Sequence, residues 1–158
     1  MKSIARAFIG AALVVGFVVG WGARAARDVV GAQTPRTIKM TRIYTGTDGQ
    51  THATEVDLPL TDGNATSMFK ATGIQFRRTP PGTFSDWHVG PRRQFVITLS
   101  GRGEIGLAGG QKIELAPGKI ELIEDLTGKG HTTRAVGSED RVSIAIPLAD
   151  QTLGAPLR

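Results

Sequence analysis

The chain contains no cysteine, which excludes disulfides, thiolate metal ligands, a cysteine nucleophile and a lipidated N-terminal cysteine, and leaves the redox compartment open. It also lacks a cluster of lysine and arginine interleaved with aromatics, and aromatics make up only 6% of the residues, so the footprint of a nucleic-acid-binding surface is missing. There is no Gly-x-Ser-x-Gly elbow, which sets serine hydrolases aside. Gly101-Arg102-Gly103 and Gly128-Lys129-Gly130 are too short for a phosphate loop, which needs a strand on one side and a helix on the other. Beyond Ile38 no segment carries a helical apolar period.

What is present begins with a leader. Lys2 and Arg6 precede an uncharged run from Ala7 to Ala23, followed by small residues, the pattern of an export signal. Ala23-Arg24-Ala25 and Val30-Gly31-Ala32 both offer small side chains at cleavage positions, and the cut is expected after Ala32, giving a periplasmic or secreted protein. The alternative is a membrane anchor formed by residues 7–23, a hydrophobic leader helix at the lower edge of bilayer-spanning length. Gly10, Gly16, Gly20 and Gly22 weaken that helix and favour export. Residues 1–32 carry a net charge of +3 out of the whole chain's +5, so most of the basic balance belongs to the leader.

The chain of 158 residues, 40% of them hydrophobic, has room for one ordinary globular domain. A polar, proline-containing linker at residues 33–37 should lead into an ordered domain at 38–150, with a tail at 151–158. Within the domain the apolar period is two: Ile74/Phe76, Phe95/Ile97/Leu99, Ile113/Leu115, Ile120/Leu122 and Val142/Ile144/Ile146 alternate with other residues. Gly- and Pro-containing turns such as Thr47-Asp48-Gly49, Pro80-Pro81-Gly82 and Ala116-Pro117-Gly118 separate these runs, and many short strands with such turns make a β-sandwich or barrel. Gly109-Gly110 predicts a two-residue hairpin between antiparallel segments Glu104–Ala108 and Gln111–Leu115.

The stretch from Gly82 to Gly101 resembles the first signature motif of the cupins. Gly82, His88, Gln94 and Gly101 fall in its register, with Gly90 where the motif has its second histidine and Gln94 where it has its glutamate. Pro117 to His131 resembles the second motif, with Gly118 and His131 in place and Glu124 at the usual proline. Asp48-Gly49-Gln50-Thr51-His52, taken with Trp87-His88 and Arg92-Arg93-Gln94, is similar to a subgroup of small bacterial single-domain cupins. The resemblance implies an all-β fold, a double-stranded β-helix or jelly-roll barrel whose mouth holds a ligand and which hides its sheet edges. It also implies a homodimer, with the arm Ile38–Tyr44 pairing onto a neighbour's sheet edge.

Carried over by position, the resemblance implies a metal site at His88, Gln94 and His131, with His52 as a further imidazole if its loop folds over the mouth, for one divalent ion such as Fe, Mn, Ni or Zn and no organic cofactor. All of these donors are formally neutral and the amide oxygen is weak, so the site should hold metal less tightly than a set with a carboxylate. Arg92 and Arg93 are adjacent and point to opposite faces of an extended strand, so one guanidinium at most turns inward to hold an anion. Glu124 and Asp125 alternate in the same way, and whichever faces inward near His131 can orient its ring or act as a base. Arg92 and Glu124 are the catalytic candidates. Trp87 precedes His88 and faces the other way, as packing or interface. The expected function is action on a small polar or anionic organic molecule by metal-assisted oxygenase, isomerase or lyase chemistry, the alternative being a non-catalytic pocket for an acid or sugar.

Overall fold

The computed structural model describes residues 37–61 and 63–154. The leader, its cut after Ala32, most of the 33–37 linker and the last residues of the 151–158 tail lie outside the described residues. Ten strands follow one another in this region: β1 (Ile38–Thr45), β2 (Thr51–Leu58), β3 (Gln75–Thr79), β4 (Phe84–His88), β5 (Gln94–Ser100), β6 (Arg102–Gly106), β7 (Lys112–Leu115), β8 (Ile120–Glu124), β9 (His131–Val136) and β10 (Arg141–Pro147).

They form a six-stranded sheet in the order β2-β1-β8-β5-β10-β3 and a four-stranded sheet in the order β4-β9-β6-β7. Strands β3 to β10 are the eight strands of a jelly roll, with β8-β5-β10-β3 against β4-β9-β6-β7, and β1 and β2 widen the first sheet beyond β8. The all-β barrel expected from the spacing of turns is the fold observed.

The arm segment Ile38–Tyr44 lies on β1, inside its own sheet, antiparallel to β2 and parallel to β8 with Thr41 opposite Glu121. One local expectation is corrected. The β6–β7 pair is antiparallel, with Ile105 opposite Ile113, but its connection is longer than two residues. A 3-10 turn at Ala108–Gly110 sits inside it, closed by hydrogen bonds from Leu107 N to Gln111 O and from Gly110 N to Leu107 O. Gly109 and Gly110 both take positive φ, as the hairpin reading required, but they serve this longer loop.

The six-stranded sheet is packed on both faces. Inside the barrel Ile43, Ile105, Leu107, Leu115 and Ile123 form one apolar cluster. Outside it Met40, Leu58, Phe95, Leu122 and Leu148 form a second, with Phe69 laid edge-on to Phe95 at 5.1 Å between ring centroids. Burying Ile43 or Leu122, each about as inaccessible as a core side chain can be, contributes roughly 1.5–3 kcal/mol.

Because both faces are covered, alternation alone does not say which phase of a strand points inward. In β5, β8 and β10 it is the more polar phase. Gln94, Val96, Glu121, Ile123 and Arg141 line the interior, with Ser143 and Ala145 farther along β10, while Phe95, Leu122, Ile120 and Ile146 pack outside. The segment around Phe69 makes this possible by covering the apolar phase: Thr72 and Ala149 hydrogen-bond across it to Pro147 and Lys70.

Candidate functional site

His88 ends β4 and His131 begins β9, and the two are cross-strand partners with ring centroids 4.5 Å apart. Their strands meet this closely because Gly130, at φ +73°, carries no side chain: a Cβ there would stand 2.0 Å from the His88 carbonyl oxygen. His131 is buried and His88 half-buried.

Each ring is held through Nδ1. His131 Nδ1 lies 2.5 Å from Asp125 Oδ2, which also accepts from Thr51 Oγ1 at 3.1 Å. His88 Nδ1 lies 2.6 Å from the backbone oxygen of Asp86. A carboxylate and a carbonyl accept hydrogen bonds, so both rings carry their proton on Nδ1 and leave a lone pair on Nε2. Two basic imidazole nitrogens are thereby set side by side at one cavity.

That cavity, about 110 Å³, is bounded by His88, His131, Gln94, Glu121, Arg77 and Arg141 among others. A second space of about 160 Å³ shares Arg77, His88, Val96, Thr133 and Arg141 with it and continues between β3 and β4. Glu121 is 1% exposed, and its Oε2 has no hydrogen-bond partner among the described residues. Burial pushes its carboxyl up to about 7, against the pull of Arg141 and Lys119. Arg141 is also buried; its Nε and Nη2 both donate to Thr98 Oγ1, at 3.1 and 2.8 Å. Burial lowers the Arg141 guanidinium from its usual range, Glu121 opposes that shift, and Arg77 adds to it.

The structure brings His88, Gln94 and His131 together on this cavity and leaves the other sequence candidates outside it. His52 is corrected: it sits on β2 with an exposed side chain, holding Asp48 through Nε2 at 3.0 and 3.1 Å and tilted against Tyr44. Arg92 is corrected too, because it is exposed to solvent, ahead of β5. Glu124 lies on the outer phase of β8 with Leu122, where it accepts from Arg93 Nε at 2.6 Å and from Arg42 Nε at 2.5 Å. It belongs to a buried ion-pair cluster behind the sheet. The carboxylate that orients His131 is its neighbour Asp125. Trp87 is partly exposed, with Lys129 Nζ over its ring at 4.3 Å.

The three cavity donors carry no negative charge, and among the described residues no group of three His, Cys, Asp or Glu side chains is placed to hold a metal ion. Nor is the missing second histidine replaced from elsewhere: a Cβ on Gly90 would meet Ile123 Cγ2 at 2.4 Å, so the space of that ligand is filled by an apolar side chain. Two imidazoles and an amide oxygen do not offset a divalent charge, and the set does not fit a tightly held resident ion.

Sequence reading missed Glu121, Arg77 and Arg141. Glu121 could have been found by extending the alternation of β8 backwards from Ile123, and Arg141 by reading the Arg-x-Ser-x-Ala phase of β10 as the inner one.

No protein-family description matches the chain, and no curated protein matches it. Solved structures similar to it include an RmlC-like cupin from Desulfovibrio desulfuricans, at 15% identity over 77% of this chain and 94% of that one, with a TM-score of 0.36. The cupin domain of Cnp3 from Schizosaccharomyces pombe is similar at 9% identity over 71% and 83% of the two chains, TM-score 0.39. Protein NMB1881 from Neisseria meningitidis is similar at 17% identity over 49% and 76%, TM-score 0.38. The fold rests on the strand order, which is independent of these likenesses.

Proposed function

We propose that this chain, a cupin by its strand order, binds a small polar or anionic organic molecule inside the barrel and moves protons on it with the His88–His131 pair. The observation that carries this reading is the inward polar phase of β5, β8 and β10, which builds a cavity where those strands would otherwise supply apolar core. Space supports a small ligand: an enclosed volume near 150 Å³ accommodates a molecule about the size of benzene, and the two adjoining spaces are of that order.

Chemistry follows from the tautomers. With Nδ1 tied to Asp125 or to the Asp86 carbonyl, each Nε2 accepts a proton, and the carboxylate of Asp125 stabilises the imidazolium that forms on His131. A ligand C–H or O–H facing the pair is the group that would lose its proton. The leader between Lys2 and Ala32 supports export of the domain.

The test is nitrogen-detected NMR of histidine-labelled protein, titrated with a panel of small carboxylic acids, sugars and polyols. Both His88 and His131 are expected as Nδ1–H tautomers near neutral pH, and at least one panel member should move both Nε2 resonances together, with His131→Ala abolishing the response of His88. Nε2–H tautomers, or a panel that leaves both rings unmoved, would overturn the reading.

A further inference from the structure

Two charged side chains that line the cavity are buried with fewer partners than their chemistry can take. Arg141 has five N–H donors, yet the acceptor it meets among the described residues is the single hydroxyl of Thr98. Glu121 lines the same space, and its buried Oε2 has no donor among the described residues. They are near enough for each to feel the other's charge, but no ion pair joins them. Arg77, on β3, adds a second guanidinium at the cavity wall, anchored through Nε to Gln75 Oε1 at 3.0 Å.

Buried charges left in this state call for a ligand carrying the complementary groups. Arg141 calls for an anion, and its planar fork matches a carboxylate. Glu121 calls for a hydrogen-bond donor beside that anion. We propose that the ligand is a small hydroxy-carboxylic acid, its carboxylate held by Arg141 with Arg77 beside it and its hydroxyl donated to Glu121. This deepens the reading given under Proposed function and rests on it for the site, since the same molecule then presents the C–H of the carbon next to the carboxylate to the Nε2 atoms of His88 and His131.

Glu121 and Arg141 sit on β8 and β10, the strands on either side of β5, so their spacing is fixed by the sheet rather than by loops. A site that hydrogen-bonds a substrate hydroxyl rejects the analogue that lacks it, because its own buried groups are then left unpaired. Specificity is therefore expected on both ends of the molecule.

Three probes separate the contributions: glycolate has both groups, acetate the carboxylate alone and ethylene glycol the hydroxyls alone. Titrations of the purified full chain, followed by calorimetry and by the histidine resonances, should show glycolate binding roughly tenfold or more tighter than acetate, with ethylene glycol weaker still. Arg141→Met should remove carboxylate binding, and Arg141→Lys should recover part of it. Glu121→Met, which leaves no acceptor, should bring glycolate down to the level of acetate while acetate itself binds no less tightly than before. Circular dichroism on each variant establishes that the barrel has folded, and the lysine variant serves if the methionine variant does not. Ethylene glycol binding as well as glycolate and shifting both histidines would overturn this assignment while leaving the proposed function standing. Glycolate affinity unchanged in Arg141→Lys and Glu121→Met would also overturn it. If none of the three probes moves the histidines, this assignment falls, while the proposed function falls only if the wider panel of acids, sugars and polyols leaves both rings unmoved.

Discussion

Glu121 offers a quantitative test of how the cavity is built, because replacing it by glutamine should stabilise the protein, and only at high pH. Its carboxyl sits near 4.5 when exposed and is pushed up to about 7 in the fold. The folded chain therefore holds this proton more tightly than the unfolded chain, and stability falls as pH rises from about 4.5 to about 7 before levelling off. At 1.36 kcal/mol per pKa unit the loss comes to about 3 kcal/mol by pH 8. Glutamine resembles the protonated carboxyl in shape and charge and does not titrate. Urea unfolding of the wild type and Glu121→Gln should thus agree within a few tenths of a kcal/mol near pH 4, and the variant should be about 3 kcal/mol more stable at pH 8. Taking the difference between the two proteins cancels every other titrating group, including Asp48, Asp57 and Asp150, whose carboxyls are all lowered by hydrogen bonds. A difference that stays flat with pH, or a variant less stable at pH 8, would refute the claim that a buried, unpartnered carboxylate faces the cavity. The expected gain has a functional side, since a residue that costs the fold stability is usually held there by what it does.

Glu124→Ala should leave Arg93 buried without its closest carboxylate and cost about 3–5 kcal/mol in chemical denaturation, while the tautomers of His88 and His131 stay as they are. A change in those tautomers, or a loss under about 1 kcal/mol, would return Glu124 to the cavity. Gln94→Glu should place a carboxylate beside the two imidazoles and tighten Co(II) or Zn(II) binding by roughly tenfold or more, read by calorimetry or the cobalt absorption bands. No gain in metal affinity would show that Gln94 does not share a centre with the histidines.

The barrel and its histidine pair were legible in the sequence because they depend on spacing. Gly- and Pro-rich turns punctuate a period-two pattern, and His88 and His131 stand at motif positions that a jelly roll brings to one place. Facing was not legible, and the error at Glu124 has that cause; Arg92 shares the phase of Gln94 but stands ahead of β5, where it is exposed to solvent. On β8, Leu122 and Ile123 are both buried, one outside the barrel and one inside, so apolar content does not distinguish the faces. The segment around Phe69, which covers the outer cluster, has no pattern that announces its role. Once it is in place, Glu124 falls behind the sheet and Glu121 in front. His52 was drawn in by its chemistry: it is one of only three histidines, but β2 lies at the margin of its sheet, with two strands between it and β5.

The contact between Gly130 and the His88 carbonyl sets the distance between the two imidazoles by main chain against main chain. Residues at Gln94 or Gly90 can drift, and the ring pair keeps its spacing; any residue added at 130 would have to push β4 away first. Kinship to this protein is therefore better sought through a glycine immediately ahead of the later histidine than through a full complement of ligands, and chains that have lost the other metal donors but kept that glycine and the two histidines would still carry the same closely spaced imidazole pair.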